Sequence, residues 1–313
     1  MTETRDDTPL DPVDQLLQQA AQAGTDAEAI AWGERALALA QPGSLAPAHY
    51  NVGLTLKYRG AWAASLHHNR IASDLAPDDQ AAHWNMGIAA TALRDWPAAR
   101  EAWRRAGLEI AASEGPIAMD LGMTPVRLNP EGDAEVVWGT RIDPARVVLG
   151  NIPFPDSGFR AGDIVLNDGA PVGQREYLGR TYSVFNVLEL FEASANSTFE
   201  AEVHAHDAAD LEALTAALEA AAVDHEVWTT SVRNLCKQCS EGLPHDHVDA
   251  DDQPTTWPER HMLGISTTSP DKAREVLTRW SARGNGFLSR LTGKANAERL
   301  LRFECALAGS SVH

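Results

Sequence analysis

Apolar and polar positions alternate in three different ways along the chain. In the first third, apolar and small residues recur at helical spacing between proline and glycine breaks. Ala31, Arg35 and Ala38 share one such face in the stretch from Asp11 to Pro42. Gly115-Pro116 ends this regime, and short β-rich runs follow at Ala134–Trp138, Arg146–Leu149, Asp163–Leu166 and Thr181–Phe185. Turn signals separate them at Asn129-Pro130, at Pro155-Asp156-Ser157-Gly158 and at Asn167-Asp168-Gly169. The last of these predicts a hairpin. Several short strands within so few residues predict a small barrel or a twisted sheet.

From Thr198 the pattern changes again. Phe199, Ala201 and Val203 alternate with Glu200, Glu202 and His204, as in a half-buried strand to Ala205. Asp207 can cap a helix that starts near Ala208, with Leu211, Leu214, Leu218 and Ala221 on one face. A second strand is expected over Glu226–Val232 and a third over His261–Thr267. Ser269-Pro270-Asp271 then opens a helix striped by Ala273, Val276, Leu277 and Trp280. A further helix and loop over residues 284–300 and a last strand over Arg302–Leu307 complete the reading. Strand–helix–strand repeated twice is the plan of a ferredoxin-like sandwich. The expectation is a multidomain α and α+β chain. Helical repeats occupy 11–114, a small β-rich barrel-like domain 115–196, and a ferredoxin-like α+β domain 197–313, interrupted by a loop at 233–259.

The front third repeats itself. Ala48-His-Tyr-Asn-Val-Gly53 aligns with Ala82-His-Trp-Asn-Met-Gly87 at an offset of 34; Trp62 matches Trp96, and Ala64 matches Ala98. A period of that length means helix–turn–helix units that stack to bury their faces. Residues 11–112 resemble tetratricopeptide repeats. Gly53 and Gly87 take the small position of the first helix, Ala72 and Ala106 that of the second, and Pro77 closes a unit. The resemblance implies an adaptor that binds a protein or peptide on the face of its first helices. It places Tyr50, Asn51, Leu54, Lys57, Trp84 and Asn85 on that face. An amide donates and accepts at once, which suits an extended main chain. The alternative is that Asn51 and Asn85 only tie neighbouring hairpins together. Some members of the family grip a carboxylate with paired cations, whereas Lys57 stands nearly alone here. His49 and His83 recur at the same offset, which argues for packing rather than catalysis.

The loop at 233–259 carries Cys236-Lys-Gln-Cys239 and then His245-Asp-His247. Two thiolates from one turn and two imidazoles from an extended segment fit a tetrahedral zinc ion. Gly242 and Pro244 discourage the helix that a redox CxxC normally opens, although a redox pair and an unliganded loop stay open as readings. Four protein ligands describe a closed, structural site. Three, with a facing carboxylate, would describe a metal-dependent enzyme of the hydrolase type, with the repeats as its docking arm. His204-Ala-His206 replaces the HxE of nucleobase deaminases, which counts against that chemistry. Cys305 reads as a small buried hydrophobe.

Composition narrows the classes. A net charge of -18 opposes nucleic acid and anionic membranes. Residues 270–302 hold eight Lys and Arg against three acids, read as a solvated helix face or a complement to the acidic remainder. The acidic start of the chain does not resemble a signal peptide, and no run of about 18 apolar residues is present. Three cysteines are too few for a disulfide framework, so a cytoplasmic protein is expected. The β-rich middle shows no nucleophile elbow and no phosphate loop.

Overall fold

The computed structural model describes residues 10–229, 257–258, 260–284 and 286–294. It holds both helices and β-sheets, as the pattern predicts, in two compact units. The first ends at Met119 and takes in Asp143–Ala145; the second holds Asp120–Ile142 and the chain from Arg146.

Among its described residues the first unit holds six α-helices: α1 (Pro12–Gln22), α2 (Asp26–Leu39), α3 (Leu45–Tyr58), α4 (Trp62–Leu75), α5 (Gln80–Ala92) and α6 (Trp96–Arg105). Local chemistry fixes where they begin. Thr25 and Glu28 form a reciprocal capping box on α2, while Asp79 and Asp95 cap α5 and α6. The turn after α3 needs positive φ, supplied by Gly60 at +70°. The residue 34 later, Arg94, takes the same turn at +58°. Consecutive helices pair into three antiparallel hairpins. Close approach inside a hairpin depends on the missing side chains of glycine. A Cβ on Gly53 would lie 2.5 Å from Asn69 of α4, and one on Gly87 would lie 2.6 Å from the Trp103 ring of α6. Arg105 fastens α6 to α4 by donating to Asp74 at 2.7 Å and Ser73 at 2.8 Å. Buried Arg100 donates to the carbonyl of Ala111 and so holds the strandless exit of the repeats against α6.

In the second unit, β1 (Met123–Leu128), β2 (Glu135–Arg141), β3 (Arg146–Leu149), β4 (Ile164–Tyr177) and β5 (Arg180–Glu192) close into a barrel, since β1 pairs antiparallel with β2 and parallel with β5. Val126, Leu128, Val137, Val147, Leu149, Val165 and Val187 fill it. The hairpin expected at Asn167-Asp168-Gly169 is not there. Those residues lie within β4, where Asp168 accepts from the Gly169 N–H and Asn167 donates to the Asp168 carbonyl. The register shifts between Asn167 and Pro171, so this side-chain chemistry makes a bulge instead of a reversal. The chain reverses at Leu178 (φ +49°) and Gly179 (φ +71°).

A separate sheet of β6 (Ser197–Ala205), β7 (Asp224–Val227), β8 (His261–Thr267) and β9 (Gly286–Lys294) runs in the order β7-β8-β6-β9, antiparallel throughout. Helices α7 (Ala208–Ala220) and α8 (Pro270–Ala282) follow β6 and β8. Ala201, Val203, Leu214, Leu218, Leu263, Ile265, Leu277 and Trp280 form the core under them. The strand β9 replaces the helix and loop expected after residue 284. Leu288 and Leu291 both pack on this core although they are three apart, because the register slips between Glu202 and Val203. A bulge turns a period of two into a spacing of three, which imitates a helix. The strand expected over 302–307, with Cys305, lies outside the described residues.

The barrel and the sheet meet within this unit. Trp228 packs with Ile152 and Ala161, its ring 4.9 Å from that of Phe154. Gly264 makes room for it, since a Cβ there would sit 2.2 Å from the indole. Glu226 accepts from the Asn151 amide, from the Ile152 N–H at 3.2 Å and from the Trp228 indole at 3.4 Å. Among the described residues, no helix is long and apolar enough to cross a membrane.

Candidate partner-binding surface of the helical repeats

The residues singled out on the repeats fall on two helices, α3 and α5. They do not share one fate. Tyr50, Asn51 and Leu54 of α3 and Trp84 of α5 are half-buried. Lys57 is 2% exposed, and its Nζ donates to Asn85 Oδ1 at 3.1 Å while lying 4.3 Å from the centre of the Tyr58 ring. Asn85 is itself buried, and its Nδ2 has no hydrogen-bond partner. Lys57 and Asn85 therefore join α3 to α5. Trp84 meets Trp103 edge to face at 5.1 Å, so its ring braces α6 as well as reaching the surface.

Asn51 is the counterpart of Asn85 one period earlier, yet its side chain makes no hydrogen bond among the described residues. The residue one period before Lys57 is Ala23, which has nothing to donate. Asn51 instead borders a groove of about 580 Å³ between α1 and α3, whose wall also includes Leu17, Leu39 and Pro47.

The recurring histidines lie apart from this groove. His49 Nδ1 and His68 Nδ1 face each other at 3.0 Å across the α3–α4 hairpin, one donating and one accepting. Burial, then His49 and His67, pushes the His68 imidazole down to about 4. Burial and His67 lower His49 too, so both rings are neutral at pH 7. His83 is buried with neither ring nitrogen bonded, and burial followed by Arg105 lowers it. Neutral, enclosed imidazoles belong to packing between helices.

Cys236, Cys239, His245 and His247 lie outside the described residues. Among the described residues, no group of three or more His, Cys, Asp or Glu side chains is placed to hold a metal ion. The strands flanking that segment are described. β7 and β8 are antiparallel neighbours, and the chain leaves near Trp228 and returns at Trp257. The Trp257 indole donates to the Ala205 carbonyl at 2.8 Å and its ring lies 4.7 Å from that of buried His261. Sequence reasoning did not single out this aromatic pair; Trp257 sits in a stretch without periodicity, so no spacing marks it.

The chain matches no protein-family model and no curated protein. The crystal structure of a hypothetical protein from Neisseria gonorrhoeae overlaps 56% of this chain and 94% of its own length, at 16% identity. Its TM-score of 0.27 is too low to carry fold or function across.

Proposed function

We propose that this chain is an adaptor whose tetratricopeptide-type repeats bind a partner protein or peptide. The observation that carries the reading is the pair of asparagines. At the same repeat position Asn85 is consumed inside the stack, while Asn51 keeps both halves of its amide beside an open groove. Tyr50 and Leu54 of the same helix are half-buried and leave part of their apolar surface uncovered.

The strand order β9-β6-β8-β7, with one helix after β6 and one after β8, supports a ferredoxin-like reading of the second sheet. The segment between β7 and β8 is far longer than antiparallel neighbours require. Its length and its Cys236, Cys239, His245 and His247 support a zinc-type staple that orders it without a hydrophobic core. Three cysteines, too few for a disulfide framework, fit a reducing, cytoplasmic setting.

The test is a peptide-display selection against the full chain, followed by titration of the selected sequences. Binding that weakens at least tenfold in Asn51→Ala and in Leu54→Glu, with unchanged melting temperature, supports the adaptor. Selected peptides that bind both variants as tightly as the natural chain refute it.

A further inference from the structure

We infer that the groove between α1 and α3 takes a basic peptide segment with apolar anchors, and not an acidic peptide or a free C-terminal carboxylate. The inference rests on the adaptor reading and names the chemistry of its partner.

Charge decides the matter. Among the described residues, Asp11 and Asp14 are the only ionisable side chains that line the groove, and both are carboxylates. The start of α1 would by itself attract an anion, because its free N–H groups point outward. Asp11 already answers that demand, since its carboxylate accepts from the Val13 N–H at 2.7 Å. The carboxylate of Asp14, exposed in the first turn of α1, makes no hydrogen bond or ion pair among the described residues. It is left to face the occupant.

Among the described residues, no cation lines the groove opposite. Across α1, α3 and α5, the helices whose faces line such a surface, Lys57 is the only Lys or Arg. Lys57 is spent on Asn85 and on the Tyr58 ring, is 2% exposed and does not line the groove. A carboxylate entering the groove would meet two acids and no donor stronger than an amide. A Lys or Arg side chain would meet the same two acids at the rim.

The floor is apolar. Leu17 and Pro47 line it, and Leu39 at its edge is 53% exposed. Apolar side chains of the partner cover these residues, while Asn51 offers one donor and one acceptor to its main chain. The recognition is therefore of an extended segment in which leucine-like anchors alternate with cations.

The test uses the full chain and three fluorescein-labelled peptides of about ten residues, with the same two leucines and with Lys, Ser or Asp at the other positions. Anisotropy titrations are run at about 50 mM and about 300 mM salt. The Lys peptide is expected to bind at least tenfold more tightly than the Asp peptide, with the gap narrowing at the higher salt. Asp14→Lys is expected to weaken the Lys peptide about fivefold or more and to spare the Ser peptide. Asp14→Asn, which keeps size and polarity, should do the same to a smaller degree. Asp133→Lys, an equal change of net charge on an exposed loop of the other unit, should change nothing. An Asp peptide that binds as well as the Lys peptide overturns the inference. So does a Lys peptide that responds equally to Asp133→Lys, which would assign the attraction to the whole acidic surface. Binding that is lost in Asn51→Ala but prefers the Asp peptide removes this inference and leaves the adaptor standing. No binding by any of the three removes both.

Discussion

The contact between Gly87 and Trp103 makes a sharp test of the repeat stack. Replacing Gly87 by Ala normally stabilises a helix interior by about 1 kcal/mol, because glycine loses more backbone entropy. Here the new methyl would lie 2.6 Å from three atoms of the Trp103 six-membered ring. Carbon atoms pack best at about 3.5–4.0 Å, so α5 and α6 must part by roughly 1 Å. Trp103 cannot yield. It is 0% exposed and braced at 5.1 Å by Trp84. Overpacking a rigid site costs about 1–3 kcal/mol, and because the three nearest atoms all belong to that buried ring this site falls near the top of the range. The net expectation is a loss of about 2 kcal/mol. Native-state hydrogen exchange of α5 and α6 amides in the full chain reads it locally, without assuming that both units unfold together. Trp103→Phe supplies the second half of a cycle. The smaller ring withdraws the offending atoms, so Gly87→Ala should become neutral or stabilising in that background, a coupling of about 2 kcal/mol. If Gly87→Ala leaves amide protection unchanged or raises it with Trp103 in place, the hairpin is not packed through this glycine.

Other expectations follow from contacts already described. His68 titrates near 4 when folded and near 6.5 when unfolded, so its contribution is complete above about pH 6.5 and fades as pH falls towards 4. The loss is about 2–3 kcal/mol by pH 4, and a urea-midpoint series should flatten in His68→Gln if His68 carries it. Glu226→Ala strands the Ile152 N–H and the Asn151 amide, and should lower stability by about 2 kcal/mol with faster exchange at Ile152. Purified, reduced protein should contain about one zinc per chain by plasma mass spectrometry, and Cys236→Ser/Cys239→Ser should lose both the zinc and thermal stability. A wild-type chain free of zinc would refute the staple.

What could be read from the sequence follows how local each signal is. The strand His261–Thr267 and the helix after Ser269 stand at their expected places, because alternation and capping are written in adjacent residues. The strand β1, Met123–Leu128, carries Pro125 and Arg127 and has no such alternation; only its pairing with β2 and β5 makes it a strand. Asn167-Asp168-Gly169 misled because Asx chemistry serves bulges as readily as turns. The true reversal at Leu178-Gly179 places a leucine in a left-handed conformation, 84% exposed, which no turn preference anticipates. β9 was hidden by its bulge. For β9, paired with β6, and for β1, paired with β5, the missing information is a partner strand far along the chain.

The same limit explains the candidate site. An offset of 34 puts Asn51 and Asn85 on equal footing, and a repeat read alone must give them one role. Their roles diverge because a side chain on the neighbouring helix either reaches them or does not. Lys57 reaches Asn85 from α3; the corresponding position before Asn51 is Ala23, the residue that ends α1. One non-repeated lysine thus ties one copy of a repeated position into the stack, while the other copy borders the groove between α1 and α3. Lys57→Met keeps the buried stem but strands the buried Asn85 Oδ1, and should lower stability by about 1–3 kcal/mol without adding a peptide contact. Ala23→Lys should compete for Asn51 and weaken peptide binding at the first groove, measured by the same anisotropy titration. If Ala23→Lys leaves that affinity unchanged while the helices stay folded, the open amide of Asn51 is not what holds the ligand.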